Sequence, residues 1–242
     1  MVNRLVLIVS GLQYSGKSYL LKRLLARLEL ADAVAFPIDP IRIALYGDRA
    51  DTHVTKTEHL FKNEWSRYEM LRALVLGRRV VASEMVMLTR SGHQGPMLEM
   101  VARAEQYVQI IEREYAQRDG LPPPVPSQVQ LKVLLPYASL DCIAERLTAN
   151  QEERRQSGSI VFDWRGMFGG YSQFEFPDAS TYEPLYLDTS DESAAANEAR
   201  LAEILAFLKD ELDLKVLNSD RRLQAQEYQR QIFARIQQEM AK

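Results

Sequence analysis

The segment "GLQYSGKS", residues 11–18, decides how the rest of the chain is read. Gly11, Gly16, Lys17 and Ser18 satisfy the spacing G-x-x-x-x-G-K-[ST]. In this pattern a loop curls so that successive backbone N–H groups point at phosphate oxygens. Glycine at 11 and 16 permits backbone angles and a close approach that a side chain would obstruct. Lys17 then reaches for β- and γ-phosphates. Ser18, at the start of a helix whose N-terminus carries favourable partial charge, offers its hydroxyl to Mg2+. Tyr14 and Ser15 within the loop and Tyr19 just after it complete the expected nucleotide-contacting set. Gln13 and Tyr14 form the crest, and Tyr14 is expected on the acceptor or lid side, away from the base.

The flanks support this reading. "NRLVLIVS" (3–10) is a short apolar run of the kind that forms a buried parallel strand, and "SYLLKRLLARLEL" (18–30) has the spacing of an amphipathic helix. The apolar run Leu5–Val9 is too short for a leader's core and ends in the loop pattern, so it is expected to be a strand. Further strands are expected at 33–38, 79–84, 129–136 and 184–190, with helices over 53–76, 96–118 and 139–156. Pro96 suits a first helical turn and Ser139 an N-cap. "DGLPPPVPS" (119–127) is stiff, but an apolar strand resumes after it, so it reads as a loop within one domain. Strands alternating with helices imply an α/β protein with a mostly parallel five-stranded sheet covered on both faces. The expected organisation is a single domain over 1–242, with a small lid near 146–181 and a C-terminal helical extension near 192–242.

Parallel sheets bind ligands at the carboxyl ends of their strands, so the residues there are the next candidates. In "IDPIRIALYGD", Asp39 is placed to orient and deprotonate an acceptor hydroxyl, and Arg42 to hold an anionic group. The competing reading makes Asp39 a helix N-cap and Arg42 a surface ion-pair partner. Glu84 ends the third strand in "VVASEMVMLTR" and can hold Mg2+ through water or poise the attacking group. Thr89, Arg90 and His93 follow at substrate-side positions with weaker support. Arg146, Arg154 and Arg155 lie on the helix after the fourth strand, where a lid arginine can neutralise charge developing in phosphoryl transfer. The alternative is helix-face charge balanced by Glu145, Glu152 and Glu153.

The aromatics of 157–181, Phe162 to Phe176, either stack on a ligand or pin their loop to the core. The stripe Leu223, Tyr228, Ile232, Phe233, Ile236 and Met240 has helical spacing suited to packing on the core. Cys142, the single cysteine, follows an apolar run and is expected to pack. With 242 residues and 46% apolar content the chain can bury a sizeable core. A net charge of −3 argues against a broad nucleic-acid footprint, although a local basic groove is compatible with it. No apolar stretch approaches the ~20 residues of a membrane span, so a cytoplasmic protein is expected.

Three stretches together resemble the P-loop kinases of the shikimate, gluconate and polynucleotide 5′-kinase type, zeta-toxin-like relatives included: "GLQYSGKS", "IDPIRIALYGD" and "RRVVASEMVMLTR". "YSQFEFPDASTYEPLYLDTS" (171–190) is similar to the tail of such kinases. The resemblance implies a three-layer P-loop NTPase fold, ATP and Mg2+ as cofactors, Asp39 at the acceptor hydroxyl, and lid arginines from Arg146 or Arg154 and Arg155. The chain departs from the family where Gln13 and Tyr14 replace a small pair, and where Glu84-Met85-Val86 replaces Asp-Ala-Thr. The expected activity is transfer of the ATP γ-phosphate to a hydroxyl of a small molecule, nucleotide or polynucleotide. A nucleotide-binding regulatory or toxin-like module with little turnover, and a simple NTPase, are the alternatives. The acceptor and the oligomeric state are not specified by these residues.

Overall fold

Aliphatic runs that are buried on both faces build the sheet. In β1 (Arg4–Ser10), Val6, Leu7, Ile8 and Val9 have 0% exposure, as a central parallel strand requires. In the computed structural model, which describes residues 4–27, 30, 32–47, 55–85, 94–156, 163–177 and 182–242, the strands form one five-stranded parallel sheet. Its members are β2 (Val34–Ala35), β3 (Val80–Met85), β4 (Val129–Tyr137) and β5 (Leu185–Asp188) with β1, in the order β2-β3-β1-β4-β5. The register pairs Val34 with Val81 in β2–β3, and Leu134 with Leu185 in β4–β5. β1 is followed by α1 (Lys17–Leu25), so the loop pattern spans a strand-to-helix turn.

The described residues cluster into two compact units. The first comprises Met1–Ile8, Leu21–Met85 and Ser91–Lys132. Here the second strand is shorter than expected. Pro37 holds φ −68° and ψ 134° and serves as the N-cap of α2 (Ile38–Tyr46), so the helix begins within the stretch expected as strand. Asp39 is therefore the second helical residue and not the N-cap. The side chains of Asp39 and Arg42 lie outside the described residues. α3 (Lys56–Val75) opens on a capping box in which Thr55 and Glu58 bond each other's backbone N–H. α4 (Gly95–Arg118) carries Pro96 in its first turn and buries Met97, Met100, Ala104 and Val108 on one face.

The second unit comprises, among the described residues, Val9–Leu20 and the described part of Val133–Lys242. It contains the phosphate-loop pattern, β4 from Val133, β5, α5 (Leu140–Gln156), α6 (Phe168–Gln173), α7 (Ala194–Leu208) and α8 (Leu214–Met240). Ser139 caps α5, its Oγ accepting from the N–H of Cys142 at 3.3 Å. A 3-10 turn (Arg165–Met167) leads into α6, and Met167, Tyr171 and Phe174 are buried in one cluster with Leu12, Ile232 and Ile236. The rings of this segment thus pin it to the core, with Phe168 stacked on Phe233 at 5.8 Å. The C-terminal stripe packs through Ile232 and Ile236 with Tyr228 and Phe233, while Leu223 and Met240 remain exposed. Cys142 is buried and unpaired, and burial pushes its thiol pKa up, which disfavours the reactive thiolate.

Candidate nucleotide site

Each glycine of the loop has its own physical reason. A Cβ on Gly11 would stand 2.7 Å from Ser15 Oγ and 2.8 Å from the Pro136 carbonyl oxygen, so the loop can lie against β4 only without a side chain there. Gly16 has φ +86°, which glycine adopts freely. Tyr14 also has a positive φ, +62°, a conformation that costs a non-glycine residue about 1–2 kcal/mol. Its phenol donates to Asn150 Oδ1 at 3.1 Å. Its carbonyl accepts from Arg146 Nη1 at 2.8 Å. One hydrogen bond to a charged group contributes about 1.5–3 kcal/mol, enough to offset the strain.

Three consecutive loop carbonyls are held in this way, each by a different element. Tyr171 of α6 donates to Gln13 O at 3.2 Å, Arg146 of α5 to Tyr14 O, and Thr189, just past β5, to Ser15 O at 3.0 Å. Arg146 also bonds Thr189 O at 2.6 Å and Glu192 at 2.9 Å, and Thr189 shares its hydroxyl proton with Tyr137 O. In a trans peptide the N–H points opposite to the C=O, and the chain contains no cis bond among the described residues. Carbonyls pulled outward therefore turn the N–H groups of Tyr14, Ser15 and Gly16 the other way. Ser15 N–H makes a long turn bond to Leu12 O, 3.3 Å, within the loop. Lys17 Nζ lies 2.7 Å from Leu12 O, folded over the loop. Backbone N–H groups, an ammonium and a helix N-terminus are the kinds of group from which anion sites are built, and this turn brings Ser15, Lys17 and the start of α1 together.

The remaining candidates fall as follows. Ser18 and Tyr19 sit in the first turn of α1 and are exposed, and Ser15 is buried with its Oγ unpartnered among the described residues. Gln13 packs its amide against Gly170 of α6. Burial pushes the Tyr171 hydroxyl well above its ordinary pKa, so it stays a neutral donor to the loop. In the other unit, Glu84 is half-buried at the end of β3, with one carboxylate oxygen buried and unpartnered among the described residues. Ser18 and Glu84 each present oxygen of the type Mg2+ takes, and the described residues contain no cluster of three metal-binding side chains. Arg154 and Arg155 lie in the last turn of α5, with side chains outside the described residues. Thr89, Arg90 and His93 also lie outside them. The sequence offers Tyr171 only as one ring of the 157–181 aromatics, and does not single out Thr189 or Asn150. Thr189 carries a usable signal, since it follows a strand's carboxyl end; Asn150 carries none.

No family model matches this sequence, and no curated protein matches it. Solved structures do resemble it. A presumed kinase from Chloroflexus aurantiacus superposes with a TM-score of 0.57 at 13% identity, over 87% of this chain and 98% of the other. The APS kinase of Mycobacterium tuberculosis, solved with AMPPNP and APS, superposes with a TM-score of 0.51 at 16% identity, over 86% of this chain and 98% of the other. The chain therefore has the α/β fold of P-loop kinases. No helix among the described residues is long and apolar enough to cross a membrane.

Proposed function

We propose that this protein is an ATP- and Mg2+-dependent kinase that transfers the γ-phosphate to a hydroxyl group. The observation that supports the reading is the anchoring of the carbonyls of Gln13, Tyr14 and Ser15 by donors from outside the loop, because the N–H group that follows each carbonyl then points away from that donor. Lys17 would exchange the Leu12 carbonyl for β- and γ-phosphate oxygens, and Ser18 would offer its hydroxyl to the metal. Mg2+ would supply charge neutralisation across the phosphates. Asp39 would orient the acceptor hydroxyl and take its proton, Arg42 would bind an anionic part of the acceptor, and Arg154 or Arg155 would neutralise charge during transfer. Arg146, tied into the loop's support, is better suited to holding the loop than to closing over it.

The test uses γ-labelled ATP with a panel of small alcohols, nucleosides and 5′-hydroxyl oligonucleotides. Label should pass to one acceptor class in the wild type, fall by roughly a hundredfold or more in Asp39→Asn, and vanish in Lys17→Ala. Transfer that survives Lys17→Ala sinks the proposal. Phosphate released to water, indifferent to every acceptor, would identify a simple NTPase. ATP-dependent thermal stabilisation without turnover would identify a binding module.

A further inference from the structure

We propose that Tyr14 and Asn150 form a strap through which α5 sets the shape of the phosphate loop, so that nucleotide affinity depends on a contact made by the loop's outer side. The inference rests on the reading of this loop as a nucleotide site. Tyr14 stands at the crest with φ +62°. A glycine would hold that angle unaided, whereas a tyrosine has to be held there. Both ends of the residue are bound by one helix: the carbonyl by Arg146 at 2.8 Å and the phenol by Asn150 at 3.1 Å. Arg146 and Asn150 are four residues apart on α5 and share a face. The tyrosine side chain also packs against the buried cluster around α5, α6 and α8.

The strap makes tertiary structure do at the crest what local backbone preference does at Gly16. Arg154 and Arg155 follow Asn150 by little more than one turn of the same helix. Coupling between two sites is reciprocal, so phosphate bound in the loop steadies α5, and α5 steadies the loop. Tyr14 and Asn150 are positioning residues in this scheme.

The test is a double-mutant cycle on the full chain, with MgATP and inorganic tripolyphosphate each titrated by calorimetry. Tyr14→Phe keeps the ring and removes the hydroxyl; Asn150→Ala removes the acceptor. Each should weaken both ligands by roughly threefold to tenfold, and the double variant should be no weaker than either single. In a Tyr14→Gly background, Asn150→Ala should leave affinity unchanged, because glycine holds the left-handed crest by itself. Additive losses, or a lower melting temperature with unaltered affinity for both ligands, would overturn the strap. A wild type that binds neither ligand brings down the nucleotide reading and the strap with it. A wild type that binds both but shows an additive cycle removes the strap alone.

Discussion

Gly11 shows how a single position can be held by packing and not by backbone angle. A methyl group there meets Ser15 Oγ at 2.7 Å and Pro136 O at 2.8 Å. The serine can rotate, but the carbonyl belongs to β4. Gly11→Ala should therefore cost about 1–3 kcal/mol, as overpacking does, and weaken MgATP binding. Urea unfolding and ATP titration of the variant check this, and wild-type stability in Gly11→Ala would refute it. At this scale the sequence is a good guide wherever a motif names the residue: Gly11, Gly16, Lys17 and Ser18 lie in one strand-to-helix turn, as their spacing requires. It is silent about Tyr14's backbone angle, because positive φ in a tyrosine is sustained by Arg146 and Asn150, more than 130 residues away in the chain.

Among the elements, α3 is the least legible. Its middle turns point Leu60, Phe61, Trp65 and Tyr68 outward while burying Lys62, Asn63, Ser66 and Arg67. Amphipathic reasoning places these two sets the other way round. Arg67 pairs with Glu64, and the exposed rings lean on one another at 6.1 and 6.3 Å, so local partners offset part of the cost of the inversion. What does follow from local chemistry is the helix start. Thr55→Ala removes the acceptor for Glu58 N–H, and should cost about 1 kcal/mol. Denaturant titration, with amide exchange read at Glu58, measures it; unchanged protection there would show that the cap contributes nothing. The Ser139 cap of α5 was legible for the same reason, since a cap is a contact within one turn. The start of α2 at Ile38 was misread because an apolar run before a proline is shared by strand ends and helix entries.

For the molecule as a whole, the buried tyrosines of Val133–Lys242 set an alkaline limit. Burial raises the pKa of Tyr137, Tyr171 and Tyr182 above the ordinary value and pushes Tyr186 up to about 12. The folded state prefers the neutral phenol. Its stabilisation is complete below the unfolded value near 10 and is lost as pH rises through the raised values. Each such tyrosine removes up to ~1.4 kcal/mol per pH unit in that window. Unfolding midpoints should hold steady between about pH 7 and 9.5 and fall between about 10 and 12. Tyr186 Oη has no partner in the fold among the described residues, so Tyr186→Phe should keep neutral-pH stability and flatten the alkaline slope. An unaltered slope in that variant would rule the mechanism out.

The sequence by itself determined what depends on near neighbours. It set the buried strands β1, β3, β4 and β5, the turn between β1 and α1, the Ser139 cap of α5, and the alternation that makes the sheet parallel. Each of these follows from side-chain volume, glycine freedom or a bond spanning a few residues. Only the tertiary structure decided what holds the loop in shape. The donors to three successive loop carbonyls come from Arg146, Tyr171 and Thr189. Long-range packing brings these residues to the crest, and no local pattern announces a side chain whose partner is a distant backbone oxygen.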